Sequence, residues 1–466
     1  MGAITLEFDN TLQQSDIIMP LLSSSKKEAG DNYVNDLTDK AQTSVFGIKV
    51  PIIMINSTVI DFDAVKYFSL KSEGVVPELV ITVEDKYELI NNIDKPGSDN
   101  EVRIQILPQF DDTYKKINLT FYISNIKVTG SMIRLVCIYK LPSLTSSRFE
   151  SFGKINTYSL FKNIATETKL GFASNIKVSE DSRYIYCDNK SFLELLNDEI
   201  HYSKLEEGIL DYWIDLWNNI NLADIKERYD VVESEEDMPL WISGQVNDVT
   251  TDIEQIPIKT SAVIDNHPGH NMSEIFVKNY SIVNNSGLQY SKGTDRVYAI
   301  YEEEKDEYLD YLIQDGDTKK DIFTKYEYLG ESYGEYNYLL SKCMRQTFLQ
   351  KINSEQIKVT LQAPLIGLMR GHKVNFIRYI NDDKIENKMK TLENANVIDR
   401  KVESNISLDK YEINGDEMDG NYRLDRTSSG QYLISGINII YTNNAWDYIL
   451  TLIRPKINIP KILKED

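Results

Sequence analysis

Histidines, cysteines and clustered carboxylates are the side chains that could do chemistry here, and few of them stand at useful spacings. Of four histidines, only His267 and His270, in NHPGHN, lie close together. A two-histidine metal site needs carboxylates to complete it, and Asp265 is the local donor; the Pro-Gly between the pair reads more simply as a solvated turn. His201 is expected at a helix end and His372 at the start of a strand. IQDGDTKKD offers Asp315, Asp317 and Asp321 to a cation but lacks the bidentate glutamate that closes a calcium loop, and INGDEMDGN is out of register too. Neither HExxH nor GxxxxGK[ST] occurs. Cys137, Cys187 and Cys343 form no CxxC pair and are odd in number, which argues for reduced thiols rather than a disulfide framework or a thiolate zinc site. No two acids are singled out for glycoside hydrolysis. The expectation is a chain without catalytic residues, cofactor or metal.

The net charge of -21 over 466 residues repels phosphate backbones, so general nucleic-acid binding is disfavoured. No stretch approaches the uninterrupted apolar length of a membrane-crossing helix, and MGAITLEFDNTL lacks the basic and apolar regions of a signal peptide. The Met-Gly start resembles a myristoylation signal, but Leu6 stands where that signal has a hydroxyl residue. These features predict folding in a reducing cytoplasm.

The elements that would have to position any site are mostly strands. With 29 Tyr, 15 Phe and many β-branched residues, the chain leans toward sheets. Residues 1–146 alternate: Ile133, Leu135, Cys137 and Tyr139 fall on one face and Met132, Arg134 and Val136 on the other. NIDKPGSDNE and KVTGSM are the turns, and LLSSSKKEAGDNYVNDLTDKAQTS reads as a long exposed loop. Over 147–236 the period changes. A helix capped by Thr157 carries Leu160, Phe161, Ile164 and Ala165 and ends at a left-handed Gly171; SFLELLNDEI forms a second. GILDYWIDLWNNINLADIKERYD is expected as a third, with Ile209, Trp213, Leu216, Trp217, Ile220 and Ile225 as its stripe. Trp213 and Trp217 on one helix face could stack on a sugar; their apolar neighbours favour packing against a sheet. Residues 237–335 alternate short strands with turns, and Glu302 to Asp321 holds nine acids against three lysines, a solvated block. From 336 to 455 a helical pattern (Tyr336, Leu339, Leu340, Cys343, Met344, Phe348) leads into QIKVTLQAP, LMRGHKVNFIRYI and GQYLISGINIIYTNNAWDYILTLIRP, strands again. In the tail 456–466, prolines keep the chain extended, and Ile457, Ile459 and Ile462 could fill apolar pockets on a partner.

The order of these parts carries a resemblance. A strand-rich segment, then LFKNIATETKLGFA, then DYWIDLWNNINLADIKERY, then a second strand-rich segment holding LQAPLIGLMRGHKVNF and closing on SGQYLISG and YILTLIRP, resembles the baseplate hub proteins of contractile-tailed phages. That family is related to late control protein D and to the base of the type VI secretion spike. The resemblance spans residues 45–455, and 240–335 departs from it. It implies a β-rich α+β fold with two tube-protein-like antiparallel β-barrel domains (1–146 and 336–455), an α+β linking domain (147–236) and a peripheral insertion (237–335). It further implies a homotrimer between the hexameric tail tube and the trimeric central spike, flanked by baseplate wedge proteins. DNA would pass through its acidic channel without specific binding, and the protein would reside in the virion after assembly in the bacterial host cytoplasm. A carbohydrate-binding or glycan-degrading β-protein, secreted or tail-associated, is the alternative.

Overall fold

The computed structural model describes residues 18–23, 51–229 apart from five short gaps, 240–243, 255–266, 345, 349, 352–353, 355–381 with two interruptions, 417–418, 422–424 and 430–454 apart from 443–444. After a short β1 (Met19–Pro20), the first strand group comprises β2 (Ile52–Ile55), β3 (Thr58–Ile60), β4 (Val65–Ser72), β5 (Glu78–Glu84), β6 (Glu101–Ile106), β7 (Ile117–Thr129) and β8 (Met132–Tyr139). They pair in the order β4-β5-β8-β7-β6-β2-β3, every ladder antiparallel. Alternation decides which side is in: on β8, Ile133, Leu135, Cys137 and Tyr139 are buried, whereas Arg134, Val136 and Ile138 face out. Ile104, Leu79, Ile81 and Phe121 join them inside, each contributing roughly 2 kcal/mol by leaving water. The predicted turn at KVTGSM is present, with Gly130 at a positive φ of 60° between partners Thr129 and Met132.

The middle segment contains β9 (Arg148–Ile155), α1 (Thr157–Thr168), β10 (Gly171–Ser174), β11 (Arg183–Lys190), α2 (Phe192–Glu199), β12 (Leu210–Ile214), β13 (Asn219–Asp224) and α3 (Ile225–Tyr229). Both predicted helices over 157–168 and 192–199 form, and Leu160, Phe161, Ile164 and Ala165 are buried as the period requires. Their ends differ from expectation. Asn156 caps α1, its side chain accepting from Ser159 N–H, while Thr157 is the first helical residue. The left-handed C-terminal residue is Lys169, φ 61°, not Gly171. Gly171 begins β10, where a Cβ would stand 1.9 Å from Asn219 Oδ1, so close strand approach is what requires glycine there.

The expected third helix is instead a β-hairpin. β12 and β13 pair antiparallel around a turn at Asp215–Asn218. Asp215 accepts from the backbone N–H of Trp217 and of Asn219, and Asn218 supplies a positive φ of 63°. Both faces of the hairpin are buried, which erases the period-2 signal and leaves an apolar run that imitates a helix.

The last group is β14 (Leu240–Ser243), β15 (Gln255–Asn266), β16 (Glu355–Leu361), β17 (Lys373–Ile377), β18 (Tyr379–Asn381), β19 (Glu417–Met418), β20 (Tyr422–Leu424), β21 (Gly430–Thr442) and β22 (Ala445–Arg454). Six of these pair in a cycle, β17-β14-β15-β16-β22-β21 and back to β17. The ladders are antiparallel except at β14, which runs parallel to both neighbours. β21 is the splice between the groups. Along one edge its first residues hold β17 (Leu433 opposite Lys373) and its later ones hold β4 (Ile439 opposite Leu70), so thirteen strands form one curled sheet.

Candidate assembly surfaces

Most residues the sequence offered for chemistry fall outside the described part of the chain. Ile457, Ile459 and Ile462 lie outside the described residues, as do His267, His270, Cys343 and the Asp315, Asp317, Asp321 cluster. So does Gly330–Gly334, GESYG, whose G-x-S-x-G spacing is that of a hydrolase nucleophile turn and escaped the motif reading above. Among the described residues, no group of three or more His, Cys, Asp or Glu could hold a metal. Trp213 is 1% exposed and Trp217 donates its indole N–H to Lys115 O at 3.1 Å, so both pack rather than present a platform. Burial pushes the Cys137 thiol up to about 12, consistent with an inert core residue. No described helix is long and apolar enough to cross a membrane.

What the structure does build is a set of junctions. At the seam, Ser69 Oγ donates to Asn438 Oδ1 at 2.9 Å across the β4–β21 ladder, with both side chains buried. On the opposite side of that ladder Tyr441 and Trp446 meet Phe62 and Phe68, with ring centroids 4.6 to 6.0 Å apart. The β12–β13 hairpin docks on the first group through its turn: the Tyr139 hydroxyl donates to Asn218 Oδ1, and Asn218 Nδ2 to Asn118 O at 3.2 Å. Its strand β12 reaches the last group through Asp211, which accepts from Arg345 at 2.9 Å and from Arg370 at 3.1 Å. Arg345 also donates to Leu210 O and meets His201 Nδ1 at 3.2 Å. His201 thus stands in the short helical turn after α2, as the sequence predicts, and has a structural partner there.

Two arrangements of charge distinguish the strand groups. In the six-strand cycle, Glu355 and Arg454 face inward and are almost fully buried; Arg454 Nε donates to Glu355 Oε2 at 2.8 Å, and Tyr432 adds its hydroxyl to Oε1 at 3.1 Å. The Arg454 guanidinium lies 4.4 Å from the Tyr432 ring centroid. In the seven-strand group, charges sit on the outer face. Glu101 on β6 is bonded by Arg103 and Lys140; burial works to raise its carboxyl, and the two cations outweigh burial and hold it below the ordinary range.

No family model and no curated protein sequence matches the chain. Solved structures do. The 43 kDa tail protein of prophage MuSo2 from Shewanella oneidensis aligns with 87% of this chain and 98% of its own at 10% identity and a TM-score of 0.45. A tail protein from Neisseria meningitidis MC58 aligns with 88% and 97% at 9% identity and a TM-score of 0.41. An E. coli component of the type VI secretion system, described as structurally similar to T4 bacteriophage tail proteins gp27 and gp5, aligns with 89% and 80% at 11% identity and a TM-score of 0.39. The structural neighbours of this chain are phage tail proteins and type VI spike components.

Proposed function

We propose that the chain is a non-catalytic structural hub of a contractile phage tail, a trimeric adaptor between the hexameric tail tube and the trimeric central spike. The observation that carries this reading is the splice at β21. One polypeptide holds a seven-strand curl and a six-strand cycle side by side in a single sheet. Taken as two tube-like barrels, three chains present six such units to the tube while keeping threefold symmetry toward the spike. The seam is a packed, hydrogen-bonded ladder rather than a flexible linker, as a rigid ring requires.

In this reading the units are 1–146 and 336–455, with β14 and β15 lending strands to the latter from the 237–335 insertion; 147–236 links them. The insertion meets wedge proteins, the tail from 456 docks Ile457, Ile459 and Ile462 on the spike or a neighbouring subunit, and DNA passes without specific binding. The chain assembles in the host cytoplasm and resides in the virion baseplate. Light scattering on the purified full-length chain tests the centre of the proposal: a mass of three copies, seen as six-lobed rings by electron microscopy, is expected, and a single-copy mass at every concentration overturns it. Deleting residues after Arg454 is expected to abolish spike attachment.

One observation favours a second reading, a glycan-binding surface. Phe149, Tyr184 and Tyr186 stand 74%, 68% and 61% exposed on the outer side of the two-stranded β9–β11 sheet. Retention on immobilised bacterial polysaccharide that disappears in Tyr184→Ala/Tyr186→Ala would support it.

A further inference from the structure

Residues 18–23 lie in a groove that they do little to build. β1 is the end strand of the four-stranded sheet β1-β10-β13-β12, parallel to β10 through two positions, Met19 opposite Ala173 and Pro20 opposite Ser174. Pro20 has no N–H to give that ladder. Leu22 holds a positive φ of 68°, a left-handed backbone that is unfavourable for a residue with a Cβ. The groove is better made than this hold on it. At Gly171 an added Cβ would stand 3.0 Å from Met19 Cε, and at Gly371 it would stand 3.3 Å from Leu22 Cδ2 and 3.1 Å from Trp213 Cη2. Leu22 packs in one cluster with Trp213, Ile352, Met369, Leu433 and Ile453. The walls also have ties of their own: Asp211 accepts from Arg345 and Arg370, and Arg228 donates to Gly371 O at 3.2 Å. The groove therefore outlasts the departure of residues 18–23.

We infer that the edge of β10 and the pocket between Trp213 and Gly371 form a strand-acceptor groove, held closed by residues 18–23 and opened to an extended apolar strand of a partner protein. The segment seated there defines the chemistry of that partner: a strand parallel to β10 with apolar side chains three positions apart, as Met19 and Leu22 are. Main-chain bonds to a sheet edge supply affinity in such additions, and side-chain pockets supply selectivity. The present occupant also leaves one polar group of the groove unsatisfied. Trp213 is 1% exposed, and its indole N–H has no hydrogen-bond partner among the described residues. A buried donor without an acceptor is costly, so a strand that brings an acceptor to it has an advantage over residues 18–23. Until one arrives, the chain's own segment covers an edge that would otherwise pair indiscriminately. The inference does not depend on the trimeric reading.

Two measurements on the full-length protein test it. The first is native-state hydrogen exchange on the wild type. The β10 amides that face β1 are expected to exchange about a hundredfold faster than those that face β13, through an opening that leaves the rest of the sheet closed. Equal protection on the two sides of β10 overturns the inference. The second is binding of a fluorescent synthetic peptide of residues 16–24, DIIMPLLSS. Leu22→Asp disables the chain's own anchor, and this variant is expected to bind the peptide on the order of tenfold or more tighter than the wild type, whose groove is filled. The same peptide carrying the Leu22→Asp change is expected to bind neither chain. A folded Leu22→Asp chain that captures no peptide, or that captures both peptides alike, overturns the groove. If the variant does not fold, the exchange measurement decides alone, because it needs no substitution.

Discussion

The seven-strand curl and the six-strand cycle share a sheet but treat charge in opposite ways. The curl keeps its interior apolar and places its charges on the outer face, where Glu101 is 2% exposed and bonded to Arg103 and Lys140, each about a quarter exposed. The cycle encloses Glu355, Arg454 and Tyr432 among apolar strands. Edge exposure differs too. β3 ends the curl with a three-residue strand whose other edge has no ladder among the described residues, whereas β17 closes the cycle onto β21. A closed ring has no edge to protect, and its buried ion pair lies among its inward side chains; the open unit keeps its buried carboxylate on the face away from its apolar core.

That contrast can be broken from the cycle's side first. Glu355→Ala leaves Arg454 buried without its carboxylate and is expected to cost about 3–5 kcal/mol in denaturant unfolding, whereas the paired replacement Glu355→Leu/Arg454→Met recovers most of it. Full stability in the single variant would show that the pair is not held as described. At the seam, Asn438→Ala strands the Ser69 hydroxyl and is expected to cost about 1–3 kcal/mol, lowering the melting temperature of both units together if they unfold as one.

Acid sharpens the comparison next. His372, just before β17, accepts the Met369 N–H on Nδ1 at 2.9 Å. Burial lowers its pKa to about 3, opposed by the Met369 carbonyl oxygen 3.0 Å from Nδ1 and aided by the nearby Arg228. The unfolded chain gains this proton below about pH 6.5 and the folded one does not until near pH 3, so stability falls on acidification across that window, by roughly 2 kcal/mol at pH 5. Denaturation midpoints at pH 7 and pH 5 check it, and His372→Gln is expected to flatten the dependence. The smallest effect is in the curl: Lys140→Ala leaves the buried Glu101 with Arg103 alone and is expected to cost about 1–2 kcal/mol in denaturant unfolding.

Local features were legible wherever one face met water. The alternation of β8, the periodicity of α1 and α2 and the strand character of β16, β17, β21 and β22 all follow from side-chain spacing. The β12–β13 hairpin was not, because burial on both faces removed the contrast that spacing arguments need. Asp215, Asn218 and Asn219 were the turn signal that should have outweighed the tryptophans. The β4–β21 seam joins residues more than 360 positions apart, as Ser69 and Asn438 are, a pairing that no local pattern encodes.

β21 acts as a common ruler. Because side chains alternate, a slip of one position along a strand turns every inward residue outward. In β21 the same slip would displace Tyr432 and Ile434 from one interior and misalign the hydrogen-bonded rungs of the other through β4. An error in one half of the molecule is therefore an error in both, and correct threading of this strand is checked twice over by two separate cores.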